Sequence, residues 1–162
     1  MAYEIDQSGK VEDTNKLTVV AYANGKIKSV KIGSSEKQKL LAAMRILDYP
    51  KHNYVYKIFA ALIYFLLADE SVDFVVIDRE YTGHEESITG VLTQLLNKNC
   101  KNIPTIRFGN VGKSSPAHKA ALDVFRGKKE ADFVVSAKEV LGLLYGRQKK
   151  TVGDLPPRED NP

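Results

Sequence analysis

Three aspartates stand where the chain pattern ends or interrupts extended segments: Asp6 after AYEI (2–5), Asp78 after VDFVVI (72–77) and Asp132 within ADFVV (131–135). In open α/β sheets the carboxyl ends of strands line the crevice where ligands bind, so acids on separate segments can converge there. Asp6 and Asp78 become neighbours if the first and fourth strands pair. Glu80, two residues beyond Asp78, shares its face if the chain stays extended. An oxygen-rich set of this kind suits Mg²⁺ or Mn²⁺, which activates water and stabilises the leaving oxygen of a phosphodiester. The candidate metal ligands are therefore Asp6, Asp78 and Asp132, and the catalytic set adds Glu80. Each also has a structural reading, since an aspartate after a strand is often a turn residue or helix cap. An acid abutting the apolar VDFVVI run is costly if unpaired, which favours function for Asp78.

A second group is basic. GNVGKSS (109–115) lies between an extended segment and a helix opened by Pro116, so its amides and Lys113 could hold a phosphate. It is not a nucleotide-binding P-loop, because the position where that motif needs its first glycine is Arg107. His118 and Lys119 follow at the helix start, where His118 could contact phosphate or assist proton transfer, or serve only as a surface hydrogen-bonding group. Together, Lys113, His118 and Lys119 are the candidate nucleic-acid contacts. His84, in TGHEE, reads equally well as a helix cap, and Glu85 and Glu86 complement the positive end of their helix. One cysteine, Cys100, and three scattered histidines give little basis for zinc, and no serine-nucleophile elbow is present.

These residues need a scaffold. The sequence predicts a first strand over 2–5 stopped by Asp6-Gln-Ser-Gly9, then a hairpin of LTVVAYA (17–23), an Asn24-Gly25 two-residue turn and KIKSVKI (26–32). Ser34 or Ser35 caps a helix that Pro50 stops. A second helix over 54–68 is apolar nearly all round and must be covered on several sides. VDFVVI reads as a strand buried on both faces. An amphipathic helix over 85–98 and a strand at PTIRF (104–108) complete a βαβ unit. After the helix over 117–125, residues 131–135 form a short extended piece, and Ser136-Ala-Lys-Glu139 is a capping box opening a helix to about Tyr145.

At 162 residues and 43% hydrophobic, the chain fits one domain with its own core. Residues 1–145 form that domain, and the polar, proline-containing 146–162 read as a mobile tail. The lone cysteine excludes an internal disulfide, and the N-terminus lacks the apolar core of a signal peptide; the expected compartment is the cytoplasm. The longest apolar run, IFAALIYFLLA (58–68), is too short to cross a bilayer, so no membrane association is expected. A net charge of +4 is compatible with a polyanionic partner. Oligomeric state is not legible.

The element order, with DQSGK and VVAYANGKIKSVKI opening the chain, resembles the ribonuclease H-like superfamily. The layout of VVIDREYTG through GKSSPAHKAALDVFRGKKEAD is similar to bacterial Holliday-junction resolvases. The resemblance covers residues 2 to 145. It implies an α/β fold with a ribonuclease H-like mixed sheet, an N-terminal hairpin and flanking helices. It also implies a Mg²⁺- or Mn²⁺-dependent nucleic-acid phosphodiester hydrolase, a nuclease or resolvase-like enzyme. The family's glutamate in the first long helix has no counterpart before Glu70, and its paired C-terminal acids reduce here to Asp132 preceded by Glu130. Those departures keep a second expectation open, a catalytically silent module of the same fold that binds nucleic acid or a protein. A small-molecule phosphotransferase is a third.

Overall fold

The computed structural model describes residues 2–48, 53–99 and 101–146; Pro50, Cys100 and the tail beyond Gly146 lie outside them. Six strands and five helices follow in the order β1 (Tyr3–Ser8), β2 (Thr18–Asn24), β3 (Lys26–Ile32), α1 (Ser34–Leu47), α2 (Tyr54–Leu67), β4 (Phe74–Asp78), α3 (Glu85–Lys98), β5 (Thr105–Gly109), α4 (Pro116–Phe125), β6 (Phe133–Val135) and α5 (Ala137–Tyr145). They build one mixed α/β sheet in the order β5-β4-β1-β2-β3-β6. β1, β2 and β3 are antiparallel, while β4 and β5 run parallel to β1 on one side and β6 runs parallel to β3 at the far edge.

Alternation along β1 divides its side chains between two layers. Tyr3 and Ile5 enter the main core, which is shared with α1, α2, α3 and α5. The opposite face of the sheet is covered by α4, whose Ala120, Ala121 and Val124 meet Val19 and Ala21 of β2. Small alanines keep that helix close to the strands. The all-round apolar α2 buries Ile58 through Tyr64 without a break, because it lies between the sheet and other helices. Among the described residues no helix is long and apolar enough to cross a membrane.

Several local expectations shift. β1 runs on to Ser8 and turns at Gly9, where φ is +79° and a Cβ would collide with the Leu17 carbonyl oxygen. Asp6 therefore lies within the strand and not after it. The hairpin closes over Gly25 (φ +69°), with Asn24 opposite Lys26, a tighter turn than the two-residue Asn-Gly loop expected. Gly33 is the N-cap of α1, and Ser34 is already helical, its hydroxyl donating to the Thr14 carbonyl at 2.7 Å. In β4 only Val75 and Ile77 are fully buried, so that strand alternates and is not covered equally on both faces. α3, α4 after Pro116, and the Ser136–Glu139 capping box form as the residue patterns predict.

Two buried polar groups tie long-range segments together. Lys37 of α1 is fully buried, and its ammonium donates to the Lys10 and Asp13 carbonyls and to Thr18 Oγ1 at 2.6–3.1 Å. This pins the 9–17 loop that follows the Asp6 strand. Desolvation pushes the Lys37 pKa down, opposed by Asp13 and Glu12. Glu70, 7% exposed, accepts from Lys28 Nζ at 2.6 Å, Tyr22 Oη at 2.7 Å and Lys26 Nζ at 3.1 Å, and so fastens the α2–β4 connection to the hairpin. Hydrogen bonds from Lys28 and then Tyr22 hold its carboxyl at about 2.

Because the folded pKa of Glu70 lies below its ordinary value of 4.5, its stabilisation is complete above that value and is lost as pH falls through about 2. Glu70→Gln should therefore be less stable at neutral pH by about 1–3 kcal/mol. The gap to wild type should close on acidification. Urea unfolding of both proteins across that pH range checks it, and a pH-independent gap would contradict the linkage.

Candidate active site

The site is made by the central strand pair. β1 pairs with β4 through Tyr3↔Val75, Glu4↔Val76 and Ile5↔Ile77, so one further step sets Asp6 alongside Asp78. In a parallel pair, residues at the same level point to the same face, here the α4 face. Asp6 is 4% exposed. Its Oδ1 accepts from the Gln7 N–H at 2.8 Å, and its Oδ2 lies 2.8 Å from His118 Nδ1 on the first turn of α4. That turn is anchored by Ser115, which caps the helix through the Ala117 N–H and donates to Glu4 Oε2 at 2.7 Å. Glu4 and Asp6, two residues apart on one strand face, thus fix the start of α4 at two points.

Asp78 closes β4 and accepts from the Val111 N–H at 3.0 Å, which draws in the GNVGKSS loop. Gly112 turns that loop at φ +82° and brings Lys113 to the cavity. Beyond Asp78 the chain does not stay extended: the Glu80 N–H bonds to the Asp78 carbonyl at 2.8 Å, folding Glu80 back over the opening. Asp6, Asp78, Glu80, Lys113 and His118, with Gln7 and Gly112, line an open cavity of about 190 Å³. A larger depression of about 350 Å³ by Glu4, Lys26, Ile27 and Pro116 gathers no comparable set of acids.

Burial is the main cause of a raised Asp6 pKa; the His118 and Gln7 hydrogen bonds oppose it and Asp78 adds to it. Glu80 is raised first by desolvation and then by Asp78, though its solvent exposure screens the consequence. The cavity is thus a crowded carboxylate site with Lys113 at its rim.

Two expected residues lie elsewhere. Asp132 does not join the cavity: it precedes β6, three strands beyond β1, where its Oδ2 accepts from the Ser29 N–H at 2.9 Å and faces the Ser29 hydroxyl at 3.4 Å. Its carboxylate fastens the β3–β6 edge, so the expected triad of Asp6, Asp78 and Asp132 does not assemble. Lys119 is exposed on α4 beside His118 and does not line the cavity. Gln7, expected only as part of the turn after the first strand, lies within β1 and lines the cavity, and its side chain bonds Tyr81 Oη at 3.1 Å. Chain spacing offered no signal for the His118–Asp6 pair, which spans 112 positions.

No family model, curated protein or solved structure matches the chain.

The raised Asp6 pKa means that its ionised form opposes folding: the penalty is absent below the ordinary value of 3.8 and sets in as pH rises through the higher folded value. Asp6→Asn should consequently raise the melting temperature at pH 7, with the advantage shrinking on acidification to about pH 4. Thermal melts of both proteins at the two pH values test this; a variant less stable at pH 7 would make the His118 hydrogen bond the dominant contribution.

Proposed function

We propose that this chain is a metal-dependent hydrolase of nucleic-acid phosphodiesters with a ribonuclease H-like arrangement. The observation that carries the reading is the placement of Asp6 beside Asp78 on adjacent parallel strands, facing one cavity with Glu80, Lys113 and His118. The sheet supports it as well, with an antiparallel hairpin on one side of β1 and two parallel strands on the other.

The donor chemistry of the cavity fits Mg²⁺ or Mn²⁺. Its acids supply hard oxygen ligands, and their mutual repulsion is what a divalent cation would relieve. Asp6 and Asp78 would hold the ion, with Glu80 at the mouth. Among the described residues no three His, Cys, Asp or Glu side chains stand at metal-enclosing spacing, and Mg²⁺ commonly needs only one or two carboxylates beside water and substrate oxygens. When bound, the ion would supply an activated water and charge stabilisation at the leaving oxygen.

The chain's own groups do the rest. With Asp6 ionised, His118 donates through Nδ1, and Nε2 is then the atom free to exchange a proton with substrate. Lys113 at the cavity and Lys119 on α4 would contact backbone phosphates, which position a nucleic acid without reading its sequence.

Asp78→Asn keeps the side-chain shape but weakens metal ligation, so Mg²⁺- or Mn²⁺-dependent cleavage should fall at least about a hundredfold while the melting temperature is held or rises. Single-stranded, duplex and branched DNA and RNA are the substrates to try. Absence of cleavage by wild type, with salt-sensitive binding intact, would favour the catalytically silent module.

The Lys113→Ala/Lys119→Ala double variant should weaken nucleic-acid binding and lower the slope of log affinity against log salt by about 1 to 2. An unchanged slope in a salt titration would remove both lysines as phosphate contacts.

A further inference from the structure

The loop that follows Asp78 and carries Glu80 ends in a ring stack. His84 occupies the N-cap position of α3 but makes no side-chain capping bond. Its imidazole instead lies flat against Tyr56 of α2, with ring centroids 4.1 Å apart and planes 13° from parallel. Tyr56 is met edge-on by Tyr81 at 5.7 Å, and Tyr81 packs on the buried Phe59 at 5.2 Å. The Tyr81 hydroxyl accepts from Gln7 Nε2 and from the Val11 N–H, so the stack is joined to the strand that holds Asp6. His84 itself is exposed.

We propose that His84 is a stacking platform for one unpaired base of a single-stranded nucleic acid whose backbone crosses the Asp6–Asp78 cavity; this rests on the hydrolase reading above and names its substrate class. One face of the ring is covered by Tyr56 and the residue is exposed, which leaves the other face for a ligand. The ring is already backed by Tyr56 and Tyr81, so a base would meet a surface whose ordering cost is small. The charges nearby favour a base over a phosphate. Glu85 lies 3.7 Å from Arg79 and so offsets its charge, while Glu86, in the first turn of α3, is exposed. Every base offers a π-face, but within a duplex both faces are covered by neighbouring pairs, so a base stacked here must be unpaired or frayed.

The test uses the full chain with EDTA present, so that binding is read without cleavage. The probes are a single-stranded oligonucleotide carrying 2-aminopurine and a blunt duplex of the same sequence. His84→Ala should weaken single-strand binding about tenfold, leave duplex binding within about twofold, and abolish quenching of the 2-aminopurine. His84→Phe, which restores a ring, should recover both affinity and quenching. Equal single-strand affinity of His84→Ala and wild type would overturn the platform. An equal loss on single strand and duplex, or failure of His84→Phe to rescue, would do the same. Wild-type cleavage in Mg²⁺ alongside either of those results would leave the hydrolase standing without its platform, whereas a wild type that neither binds nor cleaves any oligonucleotide would overturn both.

Discussion

The parallel pairing of β1 with β4 is the constraint on which the site depends. β1 has an antiparallel neighbour on one side and a parallel one on the other, and Ile5 opposite Ile77 sets its level. Both isoleucines are fully buried in the main core. A slip of one residue would turn them out of that core and carry Asp6 in, so hydrophobic burial enforces the register that sets two like charges side by side. The repulsion between Asp6 and Asp78 is thus maintained by apolar packing on the opposite face of the same strands.

The second constraint is the closeness of α4. Its buried residues are Ala117, Ala120, Ala121 and Val124, three of them alanines, and larger side chains in their place would lift the helix away. Ser115 then has Glu4 within hydrogen-bond reach, and His118 has Asp6. Each interaction joins a strand carboxylate to the first turn of a helix whose N-terminal dipole favours negative charge. The acids of β1 therefore do two things: they orient the helix, and they leave Asp6 poised against a histidine.

On the other side of the cavity the geometry comes from backbone groups. The Asp78 carboxylate draws in the Val111 N–H, and the Arg79 N–H bonds the Gly109 carbonyl, so the loops after β4 and β5 are stitched together at their bases. Lys37 fastens the loop after β1 from below. Acids gathered by strand register and a lysine on a glycine-turned loop line the cavity, and Gln7 links it through the Tyr81 hydroxyl to the stack of Tyr81, Tyr56 and His84.

The sequence by itself determined what local physics decides. The Asn24-Gly25 hairpin, Pro116 and Ser115 at the head of α4, the Ser136–Glu139 box and the apolar α2 each follow from residues within a few positions of one another, where propensity and hydrogen-bond reach suffice. It also singled out Asp6, Asp78, Glu80, Lys113 and His118, though it set Asp6 after the first strand and not within it. Only the tertiary structure decided which of them meet. Asp132 shares with the other two aspartates only its place beside an extended segment, and strand order sends β6 to the far edge, where its carboxylate serves Ser29. His118 reaches Asp6 across 112 positions because a helix of alanines lies close over β1, and His84 meets Tyr56 because α2 and α3 pack together. Such contacts depend on packing between distant segments, whose energies are shared across the whole core and written in no local pattern.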